Sequence, residues 1–93
     1  MRPLTLADFT PFLRKPMKVK AAAGVLELVL ADAQALPGSL RDGGGFRLEF
    51  LGPLQPMLGQ GSFRFLVGAE PQEIFIVPLG PAADRMRYEA IFF

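Results

Sequence analysis

From Met17 to Phe92 the chain repeatedly switches between apolar and polar residues at period two, in short runs separated by glycine and proline. Period two puts successive side chains on opposite faces of an extended strand, so each run reads as a strand with one face inward. Met17, Val19 and Ala21 alternate with Lys18 and Lys20. After a turn at Ala23-Gly24, residues 25–30 place Leu26, Leu28 and Leu30 opposite Glu27, which completes a hairpin. Phe46, Leu48 and Phe50 alternate with Arg47 and Glu49, and Phe63, Phe65 and Val67 with Ser62 and Arg64. Met86, Tyr88, Ala90 and Phe92 alternate with Arg85, Arg87 and Glu89.

Two segments depart from simple alternation. Asp32 and Gln34 inherit the parity of the three leucines, while Ala31, Ala33 and Ala35 take the other. A one-residue slip exchanges the faces of a strand, so a β-bulge near Ala31-Asp32 accounts for the change. A helical turn over residues 31–36 is the competing account, because alanine favours helix. Residues 73–79 are apolar on both faces, with Ile74 and Ile76 on one and Phe75, Val77 and Leu79 on the other. Such a strand is covered twice, either by the N-terminal helix or by oligomerisation or a partner.

Punctuation is equally regular. Pro37-Gly38-Ser39 opens a loop that Gly43-Gly44-Gly45 ends, residues 52–61 are too rich in glycine and proline for a regular element, and turns follow Gly68 and Gly80. Before the first strand, Thr5 can cap a short helix with Asp8 three residues on, and Pro11 limits its length. Leu6, Phe9 and Leu13 share a face, which makes this helix an amphipathic plug for one end of a sheet or barrel. The fold class expected is mainly β over a single domain, residues 1–93: an antiparallel small barrel or sandwich of about six strands, mostly meander-connected, with one short N-terminal helix.

Composition narrows function by exclusion. The chain has no cysteine and no histidine, so thiolate metal sites, cysteine nucleophiles and the usual general base are absent. The net charge is +1 with acidic and basic residues interleaved, which predicts no nucleic-acid partner. The opening residues lack an apolar signal core, and no apolar run approaches the ~20 residues of a membrane helix. A cytoplasmic location without membrane insertion is the expectation.

Three stretches carry a family resemblance: Phe50-Leu51-Gly52-Pro53-Leu54 running on through Pro56 and Leu58 to Gln60-Gly61, Phe75-Ile76-Val77-Pro78-Leu79-Gly80-Pro81, and Met86-Arg87-Tyr88-Glu89-Ala90-Ile91-Phe92. With Leu4-Thr5-Leu6-Ala7-Asp8-Phe9, they resemble a family of small bacterial all-β domains of unknown function, associated with phage-tail-like, tail-collar-type proteins. The resemblance implies a bacterial stand-alone domain and a role in such an assembly. It brings no catalytic residues. Phe93 stands where the family pattern leads one to expect a polar residue.

Each candidate site has a plainer reading. Gly43-Gly44-Gly45 resembles a phosphate cradle, but it leads into a strand and not a helix, so a hairpin loop is expected. Pro53-Leu54-Gln55-Pro56 has PxxP spacing, yet it lies between two strands, where an ordered surface loop is expected. Glu27, Glu49, Glu73 and Glu89 all sit near Lys or Arg on polar faces, which predicts cross-strand ion pairs and not an acid/base pair. Ser39 and Ser62 lack a histidine base. Phe63, Phe65 and Tyr88 with Arg64 and Arg87 have the makings of a base-stacking face, but the aromatic residues share the apolar parity of their strands and belong to the core.

The function expected is a non-enzymatic structural or protein-interaction module, without cofactor or metal, binding a protein partner or forming a homo-oligomer. Leu54, Met57 and Leu58, exposed in the loop, and Phe93 at the C-terminal end are the expected contact residues. The alternative is a small-ligand or glycan-binding β-barrel, which requires an open interior with convergent polar groups such as Gln34 or Tyr88.

Overall fold

The computed structural model describes residues 3–22 and 24–93. Its strands are β1 (Pro16–Ala21), β2 (Gly24–Leu36), β3 (Gly45–Pro53), β4 (Gly61–Val67), β5 (Glu70–Ala82) and β6 (Arg85–Phe92). Every pairing is antiparallel, and one sheet closes into a ring in the order β1-β2-β3-β6-β5-β4. Closure leaves no second sheet, so of the two expected architectures the sandwich is not formed. Strands β1-β2-β3 and β4-β5-β6 are two meanders, and residues 54–60 carry the chain between them. The long-range pairs β3·β6 and β1·β4 join the meanders. Of the expected turn at Ala23-Gly24, Ala23 lies outside the described residues and Gly24 begins β2.

The parity change in β2 is a bulge. Leu30 pairs with Phe50 and Asp32 with Glu49, leaving Ala31 as the extra residue. Leu28 and Leu30 point inward before it, and Ala33 packs on the core after it, paired with Leu48. The strand continues to Leu36, so the helical-turn account fails. A second irregularity lies between Pro78 and Gly80 of β5, where Leu79 is passed over in the pairing with β6.

The inside of the ring is apolar. Val19, Leu28, Leu30, Leu48, Phe50, Phe65, Ile76 and Tyr88 are wholly inaccessible, and no polar or charged residue is buried among the described residues. Phe50 and Phe65, from strands on different sides of the ring, meet with ring centres 5.0 Å apart. Gly52 on β3 lets Leu28 and Tyr88 approach its backbone, and a Cβ there would collide with the Leu28 side chain.

The two ends are closed by different means. The N-terminal helix takes the form of two successive 3₁₀ turns, Leu6–Asp8 and Thr10–Phe12. Asp8 Oδ2 accepts the Thr5 backbone N–H at 2.7 Å, as the Thr5/Asp8 spacing predicted. These turns put Phe9 into the mouth of the ring against Phe46 (5.7 Å) and Phe92 (6.0 Å), which themselves stack at 4.4 Å. The expected plug is therefore present, with Leu6, Phe12 and Leu13 packed around it. At the other end, residues 54–60 cross the ring and insert Leu58, whose backbone N–H donates to Tyr88 Oη at 2.9 Å.

Candidate functional site

The crossing loop divides its apolar residues between inside and outside. Leu58 is only 7% exposed, whereas Leu54 and Met57 face solvent at 40% and 53%. The expectation that all three are exposed is thus corrected for Leu58. Tyr88 Oη reaches across and binds the Leu58 amide, and a buried N–H without that partner would be costly. Pro53, the first proline of the PxxP spacing, pairs with Arg85 inside the sheet. One of the two prolines of that motif is therefore held in a strand, where it is unavailable to an extended-ligand groove. Phe93 is exposed at 69%, and its backbone oxygen accepts from Ser39 Oγ at 3.2 Å.

The described side chains that face into the ring are apolar and buried. Tyr88 is spent on the loop, and Gln34 lies on the outside, where its Nε2 donates to Asp32 Oδ2 at 2.8 Å. Phe65 and Tyr88 are buried, so no aromatic stacking face forms with Arg64 and Arg87. Chemistry and recognition have to be sought on the outer surface.

One structured feature there is a charged lattice across β2, β3 and β6. Glu49 and Glu89 stand directly opposite each other in the β3–β6 register, an arrangement that repels unless cations intervene. Arg47 supplies one bridge, donating to Glu89 at 2.8 Å and to Glu49 at 3.2 Å. Arg87 supplies another, donating to Glu49 at 3.0 Å, while Asp32 approaches Arg47 at 3.7 Å. The Arg87 hydrogen bond holds the Glu49 carboxyl below its ordinary pKa against the opposing effect of partial burial, and Arg47 adds to it. The same bond raises Arg87. Burial works against the charge on Arg47, but its bonds to Glu89 and Glu49 outweigh that effect, and its pKa also rises. A carboxyl that serves as a general acid near neutral pH has its pKa raised. Glu49 is moved the opposite way, as expected of ion pairs that hold strands together. Glu73 likewise pairs with Arg64 at 3.5 Å, and Glu27 faces Lys18 in register. Among the described residues, no group of three or more His, Cys, Asp or Glu is arranged to hold a metal ion.

Beside the lattice the surface turns apolar. On β5, Ile74 and Ile76 point inward, while Phe75 remains 51% exposed and Leu79 39%. The N-terminal turns plug the mouth of the ring and do not cover this outer face, so that reading of the doubly apolar strand is not realised. On the neighbouring strand β6, Ile91 is 57% exposed, although the β5–β6 pairing ends at Val77–Glu89, short of both Phe75 and Ile91. Phe75 and Ile91 are thus outward apolar side chains on neighbouring strands, with Ile91 opposite Arg47 in the β3–β6 register. Alternation already marked Phe75 as pointing away from Ile74 and Ile76. That Ile91 comes onto the neighbouring strand depends on strand order, which no local pattern carries.

The glycine loop is a connection, as expected. Gly43 and Gly44 both take left-handed backbone (φ +87° and +85°), and the chain turns there from β2 into β3. Arg41 is the residue that sequence reasoning passed over. Its guanidinium donates to the Leu4 carbonyl at 2.6 Å and the Gly44 carbonyl at 2.9 Å, and lies 5.4 Å above both the Phe46 and Phe92 rings. It ties the N-terminal segment to the β2–β3 loop over the Phe9 plug. A lone arginine among glycines gives no sequence signal of such a role.

With this geometry in hand, comparison with protein families is decisive on one point. Residues 4–92 match the family described as domain of unknown function DUF6916. The chain belongs to that family. The match spans the plug, the six strands and the crossing loop. The expected family of unknown function is therefore met, while nothing in the description links DUF6916 to phage-tail-like proteins. Comparison with curated proteins and with solved structures gave no match. No helix among the described residues is long and apolar enough to cross a membrane.

Proposed function

We propose that this DUF6916 domain is a non-catalytic protein-interaction module that makes its contacts through its outer surface. One observation carries the reading: the ring is filled with apolar side chains and plugged at both ends, yet large apolar side chains, Phe75 and Ile91 foremost, remain outside. A filled interior favours a protein partner over the ligand-binding barrel, since a small ligand needs a concave site. A patch of aromatic and aliphatic residues bordered by arginine and carboxylate has the composition of an interface centre with a polar rim. Leu54 and Met57 on the crossing loop and Phe93 at the C-terminal end give further apolar contacts. A structural role in a larger assembly, of which a phage-tail-like particle is one example, uses the same surface.

The test is capture of partners from lysate of the source organism by tagged protein, with F75S/I91S and L54S/M57S run beside the wild type. A protein retained by wild type and lost with one variant locates the contact. Equal recovery with all three proteins, each folded by circular dichroism, overturns the assignment of the contact to these residues.

A further inference from the structure

The ring has one weak join. Strands β1 and β4 pair only at Val19–Phe65 and Lys20–Arg64, whereas the other neighbours share at least five pairs. Continued, that register would set Lys18 opposite Leu66, but no such pair forms. Where pairing stops, a hollow of about 170 Å³ opens on the outer surface, lined by Lys18, Lys20, Val25, Arg64 and Leu66. A second, shallower hollow of about 300 Å³ shares Lys20 and Arg64 with the first and extends to Ser62, Phe63 and Glu73. The two make a groove along the join with Lys20 and Arg64 at its middle.

At that midpoint Lys20 has no acidic neighbour in register. Lys20 faces Arg64 on one side and Val25 on the other, so neither directly opposed neighbour is acidic. Like charges directly opposed across a strand pair destabilise it. Arg64 has one carboxylate, Glu73 at 3.5 Å, in an exposed pair, and the nearest acid to Lys18 in register is Glu27. Val25 and Leu66, exposed at 63% and 40%, provide an apolar floor between the cations.

We propose that this groove binds an extended peptide segment of a partner in which acidic side chains flank an aliphatic one. The acidic groups meet Lys18, Lys20 and Arg64, and the aliphatic group rests on Val25 and Leu66. An extended chain rises about 3.3 Å per residue, so its alternate side chains, about 6.6 Å apart, match alternate positions on β1 and β4. This inference rests on the interaction-module reading, but its contact residues, Lys18, Lys20, Val25, Arg64 and Leu66, include neither Phe75 nor Ile91.

The experiment is a fluorescence-anisotropy titration of the full chain with a short labelled peptide of alternating glutamate and leucine. Matched peptides carry serine or lysine in place of glutamate, and labelled oligothymidylate is a further arm. The glutamate peptide should bind, weaken as salt is raised, and weaken about tenfold or more against K20E/R64E. K18E/K20E, which leaves the Arg64–Glu73 pair intact, should weaken it comparably. Both variants are checked for unchanged folding by circular dichroism, and the surviving one suffices if the other does not fold. Absence of binding, equal binding of the serine peptide, tighter binding of oligothymidylate, or self-association at the groove in place of peptide binding overturns the proposal. None of these outcomes bears on capture by the Phe75–Ile91 face, so the two readings fail separately.

Discussion

A hydrogen bond ties the crossing loop to the sheet at the closed end of the ring, and Tyr88→Phe isolates it. Tyr88 is fully inaccessible, and its Oη accepts the Leu58 N–H at 2.9 Å. Phenylalanine preserves the ring that packs near Leu28 and Gly52 and removes only the acceptor. The Leu58 amide, on a residue 7% exposed, then stays buried without a partner. Leaving such a donor unpaired costs about 1–3 kcal/mol. For a domain of this size each kcal/mol moves the melting temperature by about 4–8 °C, so Y88F should melt at least about 4 °C below wild type. Guanidinium unfolding should show a lower midpoint at an unchanged slope, and hydrogen exchange at the Leu58 amide should accelerate. Two companion variants test the division of the loop. L58A removes a buried side chain and should cost about 2–5 kcal/mol. L54S/M57S changes only exposed side chains and should stay within about 0.5 kcal/mol per site. Y88F matching wild type within about 0.5 kcal/mol, or L54S/M57S costing as much as L58A, would refute the assignment of Leu58 as the plug and Leu54 and Met57 as surface.

Two further perturbations address the lattice and the core. Glu49 has a lowered folded-state pKa, so its contribution to stability is full above the unfolded-state value of about 4.3 and is lost as pH falls through the folded value. Stability measured by urea titration across acidic pH should therefore fall less steeply in E49Q than in wild type, and parallel curves would show that the Arg87 and Arg47 bonds contribute nothing. Gly52→Ala forces a Cβ onto Leu28, and the overpacked core should lose about 1–3 kcal/mol in thermal unfolding. An unchanged melting temperature would mean that Leu28 moves aside freely.

Much of the fold was legible along the chain. Alternation identified the inward residues of each strand, because a strand's side chains change face with every residue. The same rule located the bulge at Ala31, where the parity of β2 changes. Thr5, Asp8, Pro11 and the spacing of Leu6 and Phe9 marked a short capped plug, and lone charges on the polar faces foretold cross-strand ion pairs. The crossing loop was less legible. Leu54, Met57 and Leu58 are similar residues in a segment without periodicity, and only the reach of Tyr88 from a distant strand separates Leu58 from the others.

What the sequence determined by itself was therefore which segments extend and which side chains turn inward, since these follow from local stereochemistry and the burial of apolar surface, whereas β5 runs from Glu70 to Ala82 through residues whose glycine and proline had marked turns. Tertiary structure decided which strands became neighbours. It joined β3 to β6, which assembled Arg47, Glu49, Arg87 and Glu89 into one lattice, and it set β6 against β5, which put Ile91 and Phe75 on neighbouring strands. It closed β1 on β4 through two pairs only, and so placed Lys20 opposite Arg64. The physical reason is that periodicity specifies a face but not a neighbour: every inward-facing strand satisfies the same hydrophobic rule, and the order is settled by how two meanders can wrap around one shared core.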